Sequence, residues 1–309
     1  MSESILARPY FHDETAAYAE LESIVWPNGP VCPHCGATDR IAPLTGKSHR
    51  IGLKKCYHCR QQFTVKVGTV FEQSHVPLHK WLQAAYLMCS SKKGISSNQL
   101  HRTLGVTLKT AWFMSHRIRE AMKTGNSLFR PPVGGGGGTV EAEETYFGTK
   151  EGRNKGRPGP GHKHAVFSLV ERGGEVRSFH VKDTKASTLR PIMAVHIARD
   201  AHLMTDEARV YTYVGHNFAS HGTVAHGQDE YVRGNVHTNT IEGFFSVFKR
   251  GMKGVYQHCG ERHLKRYLAE FDFRYNARAA LGVNDSYRTE KALRGIVGKR
   301  LIYRDSLGA

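Results

Sequence analysis

Acidic side chains are gathered at three places in a chain that is otherwise strongly basic. The strand-like stretch VEAEETYFGTK, residues 140 to 150, carries Glu141, Glu143 and Glu144. Asp206 ends the apolar run AHLMTDE, and Glu242 lies in HTNTIEGFFSVFKR. Carboxylates on two strand ends and one helix can hold two divalent ions, the arrangement that activates water or a hydroxyl in phosphodiester cleavage. Such hard oxygen ligands favour Mg²⁺ or Mn²⁺.

Local structure limits which of these acids can act together. Alternate residues of a strand share a face, so Glu141 and Glu143 are expected on one side of the sheet and Glu144 on the other. Glu242 is expected in the first turn of a helix, with Lys249 two turns further along the same face.

Each acid also has an ordinary structural interpretation. Glu242 follows Asn239 by three residues, as in a variant capping box. Asp206 is suited to capping a turn, and the glutamates near 143 are suited to a solvated edge strand. Spacing alone leaves both interpretations open.

Six cysteines include two C-x-x-C pairs, and the spacing predicts a zinc site. C-P-H-C, twenty residues and then C-Y-H-C is typical of two knuckles that supply four thiolates to a tetrahedral zinc ion. His34 and His58 lie inside the knuckles and are expected to be bystanders, and a redox use of either pair is the alternative. The predicted zinc ligands are Cys32, Cys35, Cys56 and Cys59.

The overall charge points to a polyanionic partner. Lys and Arg number 44 against 27 acids, which gives a formal charge of +17 across 309 residues. Such an excess is typical of nucleic-acid binding, whereas a merely basic soluble protein is the alternative. No apolar run reaches the roughly 18 residues of a membrane span, and no signal peptide is evident. We therefore expect a cytoplasmic protein, associated with the nucleoid in a bacterium.

Residues 94 to 122 have the parts of a helix-turn-helix. Ser97 to Leu104 predicts a short helix, Gly105 a turn, and Thr107 the cap of a second helix. An ordinary three-helix packing unit with a basic surface is the alternative interpretation. The side chains expected on the outer, DNA-facing side of the second helix are Lys109, Thr110, His116, Arg117 and Arg119.

The second half of the chain alternates strands and helices, which predicts a mixed α/β domain. It follows GNSLFRPPVGGGGG, a linker by composition. A basic loop, KEGRNKGRPGPGHKH at 150 to 164, comes directly after the first strand and is suited to tracking phosphates; a surface insertion is the alternative. Its predicted DNA contacts are Lys150, Arg153, Lys155 and Arg157.

Four motifs together resemble a known family: ETYFG-K, MTDE, HTNTIEGFFSVFKRGMKGVY and LKRYLAEFDFRYNAR. They look like the bacterial DDE insertion-sequence transposases with an N-terminal zinc ribbon, the ISXO-like group. The resemblance covers nearly the whole chain and implies a ribonuclease-H-like mixed sheet flanked by helices. It also implies Glu143, Asp206 and Glu242 as the acids for two Mg²⁺ or Mn²⁺ ions, and Lys249 as the basic residue that contacts the DNA end.

The resemblance implies a transposase that cleaves DNA at terminal inverted repeats, transfers strands into target DNA and pairs the two ends as a homo-oligomer. His237 and Asn239 precede the third acid and are candidates for positioning DNA or metal, and Asn239 is equally suited to capping a helix. The predicted boundaries are 1–29 for an N-terminal helix, 30–67 for the ribbon, 68–124 for the helix-turn-helix-like domain, 125–138 for the linker, 139–280 for the catalytic domain and 281–309 for a C-terminal tail.

One departure bears on activity. The family pattern has Asp where this chain has Glu143, and Thr149 replaces the second glycine of the family's Y-x-G-G-K. An added methylene moves a carboxylate by roughly 1.5 Å, whereas metal sites tolerate about 0.5 Å. A catalytically impaired, transposase-derived DNA-binding protein is therefore the alternative function. A third class is a zinc-ribbon module that works with another protein.

Overall fold

The computed structural model describes residues 4–125, 130–150, 160–212, 214–228 and 230–302. The chain divides into two compact units. One unit combines Met1–Lys123 with Val283–Ala309, and the other is Thr124–Gly282. None of the helices in the described parts of the chain is long and apolar enough to cross a membrane.

The first unit begins with a helix and a small sheet. Helix α1 (Glu14–Val25) starts after Asp13, whose carboxylate accepts a hydrogen bond from the Ala16 amide at 2.6 Å and so satisfies an otherwise unpaired donor. Three short antiparallel strands follow, and Phe63 is buried beside two of the cysteines. The strands are β1 (Ile41–Pro43), β2 (Lys54–Cys56) and β3 (Gln62–Phe63).

A helical cluster completes this unit. The predicted break at Gly105 is confirmed, since this residue ends a helix with a φ of 59°, in the left-handed region where glycine lacks a steric cost. Thr107 caps the next helix, as predicted, through the Thr110 amide. Part of the predicted C-terminal tail is a helix that packs against the first of the cluster. The helices are α2 (Leu78–Ser90), α3 (Ser97–Leu104), α4 (Leu108–Met122) and α8 (Asp285–Arg294).

The predicted outer face of α4 is wrong at three positions, because His116, Arg117 and Arg119 are buried. The Arg117 guanidinium donates to the carbonyl oxygens of Leu301 and Glu72, each at 3.1 Å. Burial first, and then the charge of Arg300, lowers the pKa of Arg117. Contacts with segments distant in sequence have turned what resembled a surface face into an interior one.

The second unit contains a five-stranded sheet in the order β6-β5-β4-β7-β8. β5 pairs antiparallel with β4 and β6, whereas β7 pairs in parallel with β4 and β8. This mixed topology confirms the expected ribonuclease-H-like fold. The strands are β4 (Thr139–Phe147), β5 (His164–Glu171), β6 (Val176–Val181), β7 (His202–Asp206) and β8 (Ser220–Val224).

Helices cover both faces of this sheet. One apolar cluster joins Val140, Phe167 and Leu203 to the first helix of the unit. A second cluster joins Val166 and Phe248 on the opposite face. The helices are α5 (Ala186–His196) on the first face and α6 (Asn239–Gly251) and α7 (Glu261–Asn276) on the second. A two-stranded hairpin, β9 (Val232–Arg233) and β10 (Val236–His237), immediately precedes α6.

Side chains of helix α7 also pair with backbone groups of β6, the edge strand of the sheet. The Asn276 side chain accepts from the Val176 amide at 2.6 Å and donates to its carbonyl at 2.9 Å. Asp272, one turn earlier, accepts from both the amide and the hydroxyl of Ser178. Unpaired edge groups are thereby covered by side chains, which gives the motif FDFRYNAR a structural reason.

The glycine run before β4 is a packed turn. Gly138 donates its amide to the Gly134 carbonyl at 2.9 Å, and Val133 bridges to Ile197. A Cβ added to Gly134 would lie 2.5 Å from Val140 and 2.8 Å from Ala201, too close for any side chain. These glycines therefore allow the chain to approach the sheet closely.

Candidate functional site

The four predicted zinc ligands are brought together in the ribbon. Their sulfur atoms all lie within 4.8 Å of one another. Cys32 and Cys59 are 3.6 Å apart, and Cys35 and Cys56 are 3.7 Å apart. Zinc–sulfur bonds of about 2.3 Å imply sulfur–sulfur distances near 3.8 Å in a tetrahedron, so the arrangement fits a structural Zn²⁺ ion. The His58 ring contacts Asp39 at 2.9 Å, as expected of a bystander.

The first two acids are aligned by the strand register. β4 and β7 pair in parallel, with Glu141 opposite Met204. Two residues further along both strands come Glu143 and Asp206. Because paired residues and their second neighbours share a face, these two carboxylates belong on the side of the sheet that α6 and α7 cover.

The third acid enters from α6. Glu242 lies in the first turn of this helix and accepts a hydrogen bond from the Thr238 hydroxyl at 3.0 Å. The capping-box interpretation is wrong, because Thr238 is the N-cap and Asn239 is already the first helical residue. Lys249 is exposed in the last turn of the same helix.

Electrostatics connect these four side chains. The pKa of Glu143 is raised to about 8, first by burial and next by the charges of Glu242 and Asp206, while Lys249 opposes the shift. Oε2 of Glu143 is buried and has no hydrogen-bond partner within the described part of the chain. A carboxylate that is desolvated, unpaired and repelled by two neighbouring acids is suited to a cation, and hard oxygen donors of this kind fit Mg²⁺ or Mn²⁺.

Glu144 lies on the opposite face, as alternation requires. Its carboxylate accepts a hydrogen bond from the Tyr211 hydroxyl. Burial raises the pKa of Glu144, and burial together with that carboxylate raises the pKa of Tyr211 well above its usual value. This pair sits among the apolar residues between the sheet and α5.

Glu141 has contacts that the sequence did not indicate. Its fully buried carboxylate accepts from Arg172 Nε at 2.6 Å and from the Ile241 amide at 2.8 Å. The same guanidinium donates to the carbonyl oxygens of Asn235 and His237, each at 2.8 Å. Glu141 therefore binds the first turn of α6, directly beside Glu242, to the strand that carries Glu143. The distant Arg172 gave no recognisable signal in the sequence.

The predicted DNA contacts are placed in different ways. Lys109 and Asn239 are exposed, while Lys150 and His237 are partly buried. The His237 ring lies 3.4 Å from Glu141. Arg117 is buried and cannot reach a phosphate, which corrects that prediction. Three further predicted residues, Arg153, Lys155 and Arg157, lie outside the described residues.

Comparison with known proteins agrees with the fold and the cysteine geometry. Residues 136–276 match the ISXO2-like transposase domain, and residues 12–62 match a transposase zinc-ribbon domain. A Halobacterium salinarum protein, described as an uncharacterized protein in transposable element ISH50, is 30% identical over 282 residues, which covers 85% of this chain and 91% of that protein. A ribonuclease-H-like sheet following a zinc ribbon defines the class as that of insertion-sequence transposases. Within this class, the chain belongs to the ISXO2-like transposase family.

Proposed function

We propose that this chain cleaves phosphodiester bonds at the terminal inverted repeats of its own element. The freed 3′ hydroxyl then attacks a phosphodiester of target DNA, which joins the element's 3′ end to the target and displaces a 3′ hydroxyl of the target strand. One observation carries the proposal: Oε2 of the Glu143 carboxylate is buried, has no hydrogen-bond partner among the described residues, and is repelled by the charges of Asp206 and Glu242. These three side chains would hold two Mg²⁺ or Mn²⁺ ions. Such ions, when bound, activate the attacking oxygen and neutralise charge on the leaving oxygen.

The protein's own groups would orient the DNA at these acids. Lys249 is exposed on the helix of the third acid, and its charge already acts on Glu143, so its ammonium group is suited to a phosphate of the DNA end. Lys109 at the start of α4 would bind phosphate, together with the zinc ribbon. Since an element has two ends, a homo-oligomer would pair them.

The second candidate is a DNA-binding protein with an impaired active site. The glutamate at the first acidic position favours it, because its side chain is one methylene longer than the family's aspartate. A misplaced carboxylate would slow cleavage while leaving DNA binding intact.

A cleavage assay on DNA carrying the repeats that flank the gene tests the proposal. With Mg²⁺ or Mn²⁺ we expect nicking by the wild type and a loss of roughly 100-fold or more in Asp206→Asn, because the amide keeps the shape of the side chain but removes a charged oxygen ligand of the ions. Asp200→Asn is the matched control, because Asp200 lies just before the same strand and its carboxylate accepts a hydrogen bond from the Gly136 amide at 2.8 Å.

Glu143→Asp separates the two candidates. Nicking by the wild type supports the transposase, whereas tight repeat binding with cleavage only by Glu143→Asp supports the impaired protein. If neither the wild type nor Glu143→Asp cleaves DNA that it binds, the catalytic proposal is refuted.

A further inference from the structure

A second cluster of metal-ligand type lies in the same unit as the acids but on different elements. His164 is the first residue of β5, His180 is near the end of β6, and Glu261 is the first residue of α7. Val166 pairs with His180, and alternation places His164 and Val166 on one face of β5. That is the face which α7 covers, so three elements converge on one point.

The distances leave a gap of the size that a metal ion fills. Oε1 of Glu261 is 3.7 Å from Nδ1 of His164 and 3.7 Å from Nε2 of His180. All three ligand atoms lie within 4.8 Å of one another. Both separations exceed hydrogen-bonding distance, yet they approach the spacing of roughly 3.3–3.4 Å between ligands that each lie about 2.0–2.1 Å from a tetrahedral zinc ion.

An independent observation points into the same gap. His164 is 2% exposed, and its Nδ1 has no hydrogen-bond partner within the residues that the structure describes. Buried polar atoms are nearly always paired, so a buried ring nitrogen directed at two other ligands indicates a missing partner.

We propose that His164, His180 and Glu261 bind a zinc ion distinct from the one in the ribbon. Two imidazoles and one carboxylate are a donor set typical of Zn²⁺, whereas Mg²⁺ prefers oxygen ligands alone. The Glu261 side chain is 53% exposed, which leaves the fourth position to water. The site would tie the first turn of α7 to the β5–β6 hairpin.

The site also adjoins the end of the basic loop. The Lys150 amide donates to the His162 carbonyl at 2.8 Å, two residues before His164, so zinc at His164 would anchor the point where the loop rejoins the sheet. The charge of Lys150 acts on His180 and opposes a cation, whereas the Glu261 carboxylate offsets it. The proposal does not depend on the activity of the acidic site.

Zinc titration of the full chain tests this site. The protein is prepared with its ribbon loaded, as verified by elemental analysis, and is held in excess Mg²⁺ to occupy oxygen-only sites. Calorimetric titration with Zn²⁺ should then show a second equivalent bound by the wild type. His180→Ala and Glu261→Gln should each weaken this binding by at least about tenfold, since even outer partners of a metal site contribute that much.

His202→Ala serves as the control, because His202 lies on the same sheet and pairs with the Ser220 hydroxyl at 2.7 Å; it should bind as the wild type does. Glu261→Gln changes a half-exposed side chain, so a folding defect would not mimic the loss. The absence of a second zinc in the wild type, or equal affinity in the wild type and both ligand variants, would overturn the proposal.

Discussion

Replacing Glu141 by glutamine removes a buried charge while keeping the shape of the side chain. Both oxygens of Glu141 accept from donors, Arg172 Nε and the Ile241 amide, so the new amide group must face one of these donors with its own hydrogens. Removing one partner of a buried ion pair costs about 3–5 kcal/mol. We expect the lower end, about 3 kcal/mol, because Arg172 keeps its bonds to Asn235 and His237.

Amide hydrogen exchange measures this loss of stability directly at the start of α6. The amides in the first turn of α6 should lose about a hundredfold in protection in Glu141→Gln, since 1.4 kcal/mol corresponds to a factor of ten. Tryptophan fluorescence provides an internal reference. All three tryptophans, Trp26, Trp81 and Trp112, lie in the first unit, so their fluorescence in urea follows the unfolding of that unit separately from α6.

Glu144→Gln is the matched control in the same strand. Its pKa is already raised by burial, and a glutamine oxygen can still accept from the Tyr211 hydroxyl, so the cost should stay within about 1 kcal/mol. If Glu141→Gln leaves α6 as protected as it is in Glu144→Gln, the assignment of Glu141 as the anchor of α6 is refuted.

Three further outcomes are expected. The pKa of Asp272 is raised to about 7 by burial, above the unfolded value near 3.9, so the stability that this carboxyl contributes is complete below about pH 4 and is lost as pH rises through 7. In urea unfolding, the wild type should lose about 4 kcal/mol of unfolding free energy between pH 4 and 8, and Asp272→Asn should not. The same pH dependence of stability in both proteins would contradict this. Arg117→Ala should lower the free energy of unfolding by about 2 kcal/mol or more, because it leaves two carbonyls unpaired. Lys109→Ala should leave stability unchanged but reduce the salt slope of DNA binding by about one. A stable Arg117→Ala with a reduced salt slope, together with an unstable Lys109→Ala, would refute a buried Arg117 and a DNA-facing Lys109. Chelation of zinc, or Cys56→Ser, should unfold the ribbon, and circular dichroism with elemental analysis that showed a folded, zinc-free ribbon would contradict it.

Several features of this protein could be predicted because they depend on neighbours in the chain. The helix break at Gly105 and the Thr107 cap follow from local backbone preferences, and both are observed. The cysteine pairs were equally readable, since two knuckles specify a tetrahedral site by spacing alone.

Interior polar residues could not be predicted in this way. Arg117 has the spacing of a surface residue on α4, but it is buried and its guanidinium donates to the carbonyl oxygens of Glu72 and Leu301. Hydrophobic periodicity assigns charged residues to the surface by default, and only contacts between distant segments reverse that assignment. The same limit hid the partnership between Glu141 and Arg172.

The stretch VEAEETYFGTK separates what the sequence determines from what the tertiary structure determines. By itself the sequence determined the strand, the alternation that separates Glu144 from its neighbours, and the resemblance that singles out Glu143. Only the tertiary structure decided which groups each carboxylate interacts with. Glu141 accepts hydrogen bonds from an arginine and a helix amide, and Glu144 accepts one from a tyrosine hydroxyl. Glu143 is repelled by the charges of two other acids. An acid becomes an anchor or a candidate metal ligand according to what lies opposite it, and that is set by residues far away in the chain.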